Sequence, residues 1–162
     1  YYCICQSLSF EEVFLFLCKA NDFLKIADLM DEVLSGSEYY LLGRWVEQAK
    51  ALALNADDFS KKLYEQNSKT IITTWGAYNQ CEIGGIRDYS NRQWSGLIKD
   101  FYKPRWERWI NNRINELDCK PFEEKISWFP WEWQWARSNT AYDNSPQDIN
   151  LLEIAKTIIS IL

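Results

Sequence analysis

The chain has 162 residues, with 18 Lys and Arg against 23 Asp and Glu and a formal net charge of −5. That length suits a single domain over residues 1–162, able to bury on the order of 70% of its unfolded surface, and the acidic balance speaks against a polyanionic partner such as nucleic acid. There is no histidine, which excludes Ser-His-Asp and Cys-His chemistry within the chain and leaves Cys3, Cys5, Cys18, Cys81 and Cys119, odd in number and without a CxxC pair, nothing to complete a zinc site.

Six Gly and four Pro beside nine Trp favour long helices, short connections and a Trp-rich core or surface. Ser9 with Glu12 three residues on predicts a capping box for the first helix, with Phe10, Val13, Leu17, Ala20, Leu24 and Ala27 on its core face and Gly36 as its stop. A second helix is predicted from about Glu38 to Leu54, presenting Leu42, Trp45, Val46, Ala49, Leu52 and Ala53 inward. Asn55 and Asp57-Asp58 restart the chain into a third, with Tyr64, Ser68, Ile71, Ile72 and Trp75 along one stripe.

The segment from Gly76 to Arg87 lacks periodicity and carries Gly84-Gly85, so it reads as the longest surface loop. A fourth helix is predicted from Asp88, burying Trp94, Leu97, Ile98 and Phe101 and stopped by Pro104, which opens a fifth helix with Trp106, Trp109, Ile110, Ile114 and Leu117 at helical spacing. A sixth segment is interrupted by Pro130. Ser145-Pro146 with Asp148 starts the last helix, with Leu152, Ala155, Ile159 and Leu162 inward. The expected class is all-α, a bundle of six to seven mostly antiparallel helices, because Trp131 to Trp135 is too short and isolated to build a sheet.

Basic residues outnumber acidic ones from Arg87 to Arg113, which reads as a solvated helix face. No apolar run reaches the length of a membrane span, and Tyr1-Tyr2-Cys3-Ile4-Cys5 has neither an initiator Met nor a basic leader, so the sequence reads as an excised piece. No Asn-x-Ser/Thr acceptor occurs, which suits a bacterial source better than a glycosylated animal protein. Glu132, between Trp131 and Trp133, and Glu107, beside Trp106, have aromatic settings able to raise a carboxyl pKa, yet both read as solvent-facing helix residues. Trp128, Trp131 and Trp135 form a stripe suited to core or domain contact, and Trp133 shares another face with Phe129.

Three motifs stand in an order that helix formation does not demand: Trp75-Gly76 in a Thr-x-Trp-Gly turn, Asp88-Tyr89-Ser90-Asn91 ahead of Trp94 and Leu97-Ile98, and Tyr102-Lys103-Pro104-Arg105-Trp106. Upstream, Asp31-Glu32-Val33-Leu34, Leu41-Leu42-Gly43-Arg44-Trp45 and Tyr64-Glu65-Gln66-Asn67-Ser68 continue the pattern. In these motifs the chain resembles the C-terminal helical domain of the α-N-acetylglucosaminidases, glycoside hydrolase family 89, over roughly its first two thirds.

The resemblance implies a retaining exo-hydrolase that needs no cofactor, whose two catalytic glutamates belong to a (β/α)8 barrel preceding this domain. It therefore implies no catalytic residue and no metal ligand here. The implied partners are that barrel and a glycan ending in α-linked N-acetylglucosamine, of heparan-sulfate or mucin type. The implied location is periplasmic or secreted in a bacterium and lysosomal in animal relatives. Trp75 and Tyr89 are the expected substrate-binding residues, forming one wall of the sugar pocket, while Gly76, Asp88, Asn91, Pro104 and Arg105 are read as structural, Asp88 and Asn91 at a helix start and Arg105 as an ion-pair or backbone clamp. A freestanding carbohydrate-binding module and a helical interaction scaffold are the competing readings.

Overall fold

The computed structural model describes residues 9–75 and 87–162, and Gly76 with the glycine pair of the expected loop lies outside them. Helix α1 (Phe10–Ser35) opens with the expected capping box: the Ser9 hydroxyl accepts from the Glu12 N–H, and Glu12 accepts from the Ser9 N–H at 2.7 Å. Gly36 closes it. A single 3₁₀ turn (Glu38–Tyr40) precedes α2 (Leu42–Leu52). Helix α3 (Asp58–Ile71) follows, capped by Asp57, whose carboxylate accepts from the Ser60 N–H at 2.9 Å.

The predicted fourth helix forms, burying Leu97, Ile98 and Phe101, but it does not begin at Asp88. Residues 87–95 form a turn and an extended stretch, joined to the start of α2 by Leu42 N–H to Ser95 O (3.0 Å) and Ser95 N–H to Tyr40 O (2.8 Å). Helical structure begins past Gly96, where a wide π-type turn (Ile98–Tyr102) runs without a break into α4 (Lys103–Leu117). Its cap comes from α1: the buried Asp31 carboxylate accepts from the Gly96 N–H at 2.8 Å, the Lys99 N–H at 3.0 Å and the Ser95 hydroxyl at 3.0 Å. A carboxylate at the positive end of a helix satisfies donors that a local cap would otherwise take.

Pro104 does not stop the helix. A proline ring collides with the carbonyl four residues back and offers no N–H, and here the wider turn, with Lys103 N–H bonded to Ile98 O five residues back, accommodates both deficits. Pro130 likewise opens α5 (Phe129–Ala136) from its first turn instead of interrupting a helix. Helix α6 (Leu151–Ile161) starts later than expected, capped by the Asn150 side chain. No strand occurs among the described residues, and the architecture is an all-α bundle.

Helix α1 packs on the π-turn, α4 and α6, while α2 lies on α3 and α3 on α5. Leu42, Val46, Ile72, Leu97, Phe101, Trp135 and Ala136 form the buried core, flanked by Trp45, Trp94, Tyr102, Trp131 and Tyr142. Phe101 is its hub: it stacks on Trp131 at 5.5 Å and meets Trp135 at 4.6 Å. Gly43 lets the chain at Tyr142-Asp143 pass directly over α2, since a Cβ there would lie 2.1 Å from the Asp143 carbonyl oxygen.

Four helix faces differ from the periodic reading. On α1, Phe10 is 86% exposed and Leu17 is exposed too: the 26-residue helix, about 39 Å long, outruns α4 and α6, at about 22 and 16 Å. On α2, Leu52 is exposed and Ala53 buried. The inward side of α3 is polar, carrying Glu65, Ser68, Lys69 and Thr70 ahead of the buried Ile72, while Tyr64 and Ile71 face out. Lys69, fully buried, donates to Glu65 at 2.9 Å and to the Ser138 carbonyl at 2.7 Å. On α6 the buried residue is Ile154, with Leu152, Ala155, Ile159 and Leu162 exposed.

Candidate functional site

The end of α3 folds back on itself: the Trp75 N–H donates to the Thr70 carbonyl at 2.7 Å. Trp75 has φ +49°, in the left-handed region that a bulky side chain rarely adopts. Asp88, on the returning stretch, has φ +60° and donates its N–H to the Thr73 carbonyl at 2.8 Å. One backbone bond therefore ties the outgoing and returning chains together, two residues from Trp75 and one from Tyr89.

The consequence is a ring pair. Trp75 and Tyr89 meet edge to face, with centroids 5.6 Å apart at 64°, the arrangement favoured by opposed ring quadrupoles. Tyr89 is 74% exposed and Trp75 is half-buried, so the pair has its base in the bundle and a rim in solvent. The Asn91 N–H closes a turn onto the Asp88 carbonyl at 3.1 Å, and Asn91 itself is exposed. Neither residue begins a helix, because the donors at the next helix start are already taken by Asp31.

Beneath the turn lies a chain of charges. Both Asp88 oxygens accept from one Arg105 nitrogen, at 3.0 and 2.8 Å. The Arg105 Nε faces Glu132 at 3.3 Å, and the Arg87 Nε reaches the other Glu132 oxygen at 2.9 Å. Glu132 has no exposed surface, which corrects its reading as a solvent-facing residue and removes it from contact with any bound sugar. Two arginines make burial of that carboxylate tolerable. Arg105 also lies 5.4 Å from the Phe101 ring centre and 5.8 Å from that of Trp128.

Alongside is a cleft of about 500 Å³ whose walls include Trp106, Trp109, Trp128 and Tyr102, with Asn91 and the Asp88–Arg105 pair. Burial, reinforced by the Asp88 charge, pushes the Tyr102 phenol up to about 12. Glu107, the other carboxyl singled out in the sequence, sits 3.7 Å from Lys103.

Residues 3–160 match the family model described as the alpha-N-acetylglucosaminidase (NAGLU) C-terminal domain. The chain belongs to this family. It is 32% identical over 133 residues to human alpha-N-acetylglucosaminidase, a stretch covering 80% of this chain and 17% of that protein. A family 89 glycoside hydrolase from Clostridium perfringens, solved with 2-acetamido-1,2-dideoxynojirmycin, superposes with a TM-score of 0.85 at 37% identity, over 97% of this chain and 18% of that one. The enzyme CpGH89 from the same organism, solved with its substrate GlcNAc-alpha-1,4-galactose, gives 0.81 at 39% identity over 87% of this chain and 16% of that one. The chain thus spans less than a fifth of these relatives.

Within this NAGLU C-terminal domain, sequence reasoning missed the buried ionic groups. A signal for Glu132 was present: Phe129, Glu132 and Ala136, at spacings of three and four, share the buried stripe of α5 with Trp135. The Glu65–Lys69 pair also stands at i, i+4. Both were obscured by the habit of assigning charge to the outer face. No helix among the described residues is long and apolar enough to cross a membrane.

Proposed function

We propose that this chain is the C-terminal helical part of a retaining exo-α-N-acetylglucosaminidase, packed on a catalytic (β/α)8 barrel and forming one wall of the pocket for a terminal α-linked N-acetylglucosamine. The observation that carries the reading is the Trp75–Tyr89 ring pair, in which Trp75, a bulky residue, holds a left-handed backbone conformation. Such strain persists where a surrounding structure over-determines it, and it gathers at ligand clamps. An indole offers an apolar face to the C–H side of a pyranose, and the neighbouring phenol offers a hydroxyl to a ring substituent. The complex of CpGH89 from Clostridium perfringens with its substrate GlcNAc-alpha-1,4-galactose supports the same substrate class.

The wall supplies binding and orientation. The carboxyl pair that cleaves the glycoside, about 5 to 5.5 Å apart in a retaining enzyme, belongs to the barrel. A periplasmic or secreted enzyme of a bacterium fits this reading. The test is Trp75→Ala in the intact parent enzyme: kcat/KM toward an α-N-acetylglucosaminide falls more than about tenfold, or about 1.4 kcal/mol, with little change in Tm. Unchanged activity, or a large loss of Tm in its place, returns Trp75 to a structural role. The isolated chain titrated with an α-N-acetylglucosamine-terminated disaccharide gives no measurable heat, and binding there would make it a freestanding carbohydrate-binding module instead.

A further inference from the structure

We propose that the charge chain Arg87–Glu132–Arg105–Asp88 is a positioning device that holds Tyr89 against Trp75. The inference rests on the sugar-wall reading for its catalytic consequence, and on geometry for the rest.

Three consecutive residues define the device. Arg87 runs to Glu132 at 2.9 Å, Asp88 is gripped by Arg105 at 2.8 and 3.0 Å, and Tyr89 presents its ring to Trp75. Arg105 comes from the first turn of α4 and Glu132 from the middle of α5, so two separate helices converge on one surface turn. The guanidinium is planar and its donors are fixed in direction. With its Nε 3.3 Å from a Glu132 oxygen and one terminal nitrogen bonded to both Asp88 oxygens, Arg105 ties the position of Asp88 to the packing of α4 on the core. The Asp88 N–H bond to Thr73 then fixes the same residue to the chain that carries Trp75.

Stability alone does not call for this arrangement. A buried ion cluster can often be exchanged for packed hydrocarbon of similar volume at no loss, whereas hydrocarbon cannot impose a direction on an exposed turn. Asp88, of a residue type that enters the left-handed region more readily than most, is held at φ +60° by bonds on both its backbone and its side chain. Glu132, Arg105 and Asp88 are positioning residues, acting on a sugar only through the ring pair.

Two measurements test this. In the chain itself, the Trp75 indole imposes a ring-current shift on the Tyr89 ring protons. Asp88→Asn, at a partly solvent-facing site, is expected to collapse that shift while the dispersed signals of Phe101 and Trp135 remain. Retention of the shift in both Asp88→Asn and Glu132→Gln overturns the inference, whatever the activities.

In the parent enzyme, Glu132→Gln is expected to lower kcat/KM about tenfold or more, chiefly through KM. In a Trp75→Ala background the same substitution should cost less than about threefold, because residues acting through one contact are not additive. Full additivity overturns the proposal. Where Glu132→Gln does not fold, Asp88→Asn carries the cycle with the same expectation. If the ring-current shift collapses but Trp75→Ala leaves activity intact, the sugar-wall reading fails while the positioning of the ring pair stands.

Discussion

The seam between α3 and α5 and the outer half of α1 invert the usual distribution of residues. In the seam Glu65 and Lys69 are buried, as is Glu132 on α5 where it meets Arg105 of α4, whereas α1 leaves Phe10, Phe14 and Leu15 in solvent. Lys69 is enclosed because it has two hydrogen-bond acceptors and lies 5.7 and 5.6 Å from the ring centres of Trp135 and Tyr142. Phe14 is exposed because α1 outruns the helices that cover its other turns. Burial in this chain follows the partners available at each position, and hydropathy alone assigns both regions wrongly.

The contrast can be broken most forcefully at Lys69. Lys69→Ala opens a cavity beside Glu65, whose remaining cation is Lys50 at 3.4 Å, and a loss of about 2 to 4 kcal/mol in denaturant unfolding is expected. A loss below about 1 kcal/mol would mean that the seam is wetter than its geometry. Asp31→Ala removes three hydrogen bonds at the start of the π-turn and should cost about 1 to 2 kcal/mol, within the range of a lost helix cap.

A gentler probe uses alkali. Burial holds the phenols of Tyr102 and Tyr142 up to about 12, against 10.0 for an ordinary tyrosine. The unfolded chain loses those protons first, so the stability they represent is complete below pH 10 and is lost as pH rises toward 12. Absorbance titration of the phenolates should show these two ionising last, together with unfolding. The smallest effect belongs to the other region: Phe14→Ser in the isolated chain should change stability by no more than about 0.5 kcal/mol. A larger loss would show that the exposed face of α1 is covered.

Features written within a few residues of one another were legible. Ser9 with Glu12 and Asp57 with Ser60 are local caps, and both helices begin where the sequence says. The start of the π-turn was not legible, because its cap, Asp31, lies 65 residues before Gly96 and no pattern near Asp88 records it. The bundle class was visible from periodicity and from the scarcity of turn residues, but the faces were not, since an amphipathic pattern cannot distinguish a paired charge from a hydrated one. At the site, Trp75 and Tyr89 were reached through family likeness. The ionic chain beneath them needed coordinates, because Arg87, Arg105 and Glu132 come from three different stretches of sequence.

The wide turn at Ile98–Tyr102 also sets a rotational phase. Each residue of an α-helix advances the side-chain direction by about 100°, so the extra residue taken up before Lys103 determines which way every later side chain of α4 points. Deleting one residue there to restore a regular helix would leave α4 helical but swing Arg105 and Trp106 off the face they now occupy. The proline that prompted the expectation of a helix stop is thereby part of what aims that guanidinium at the turn above it.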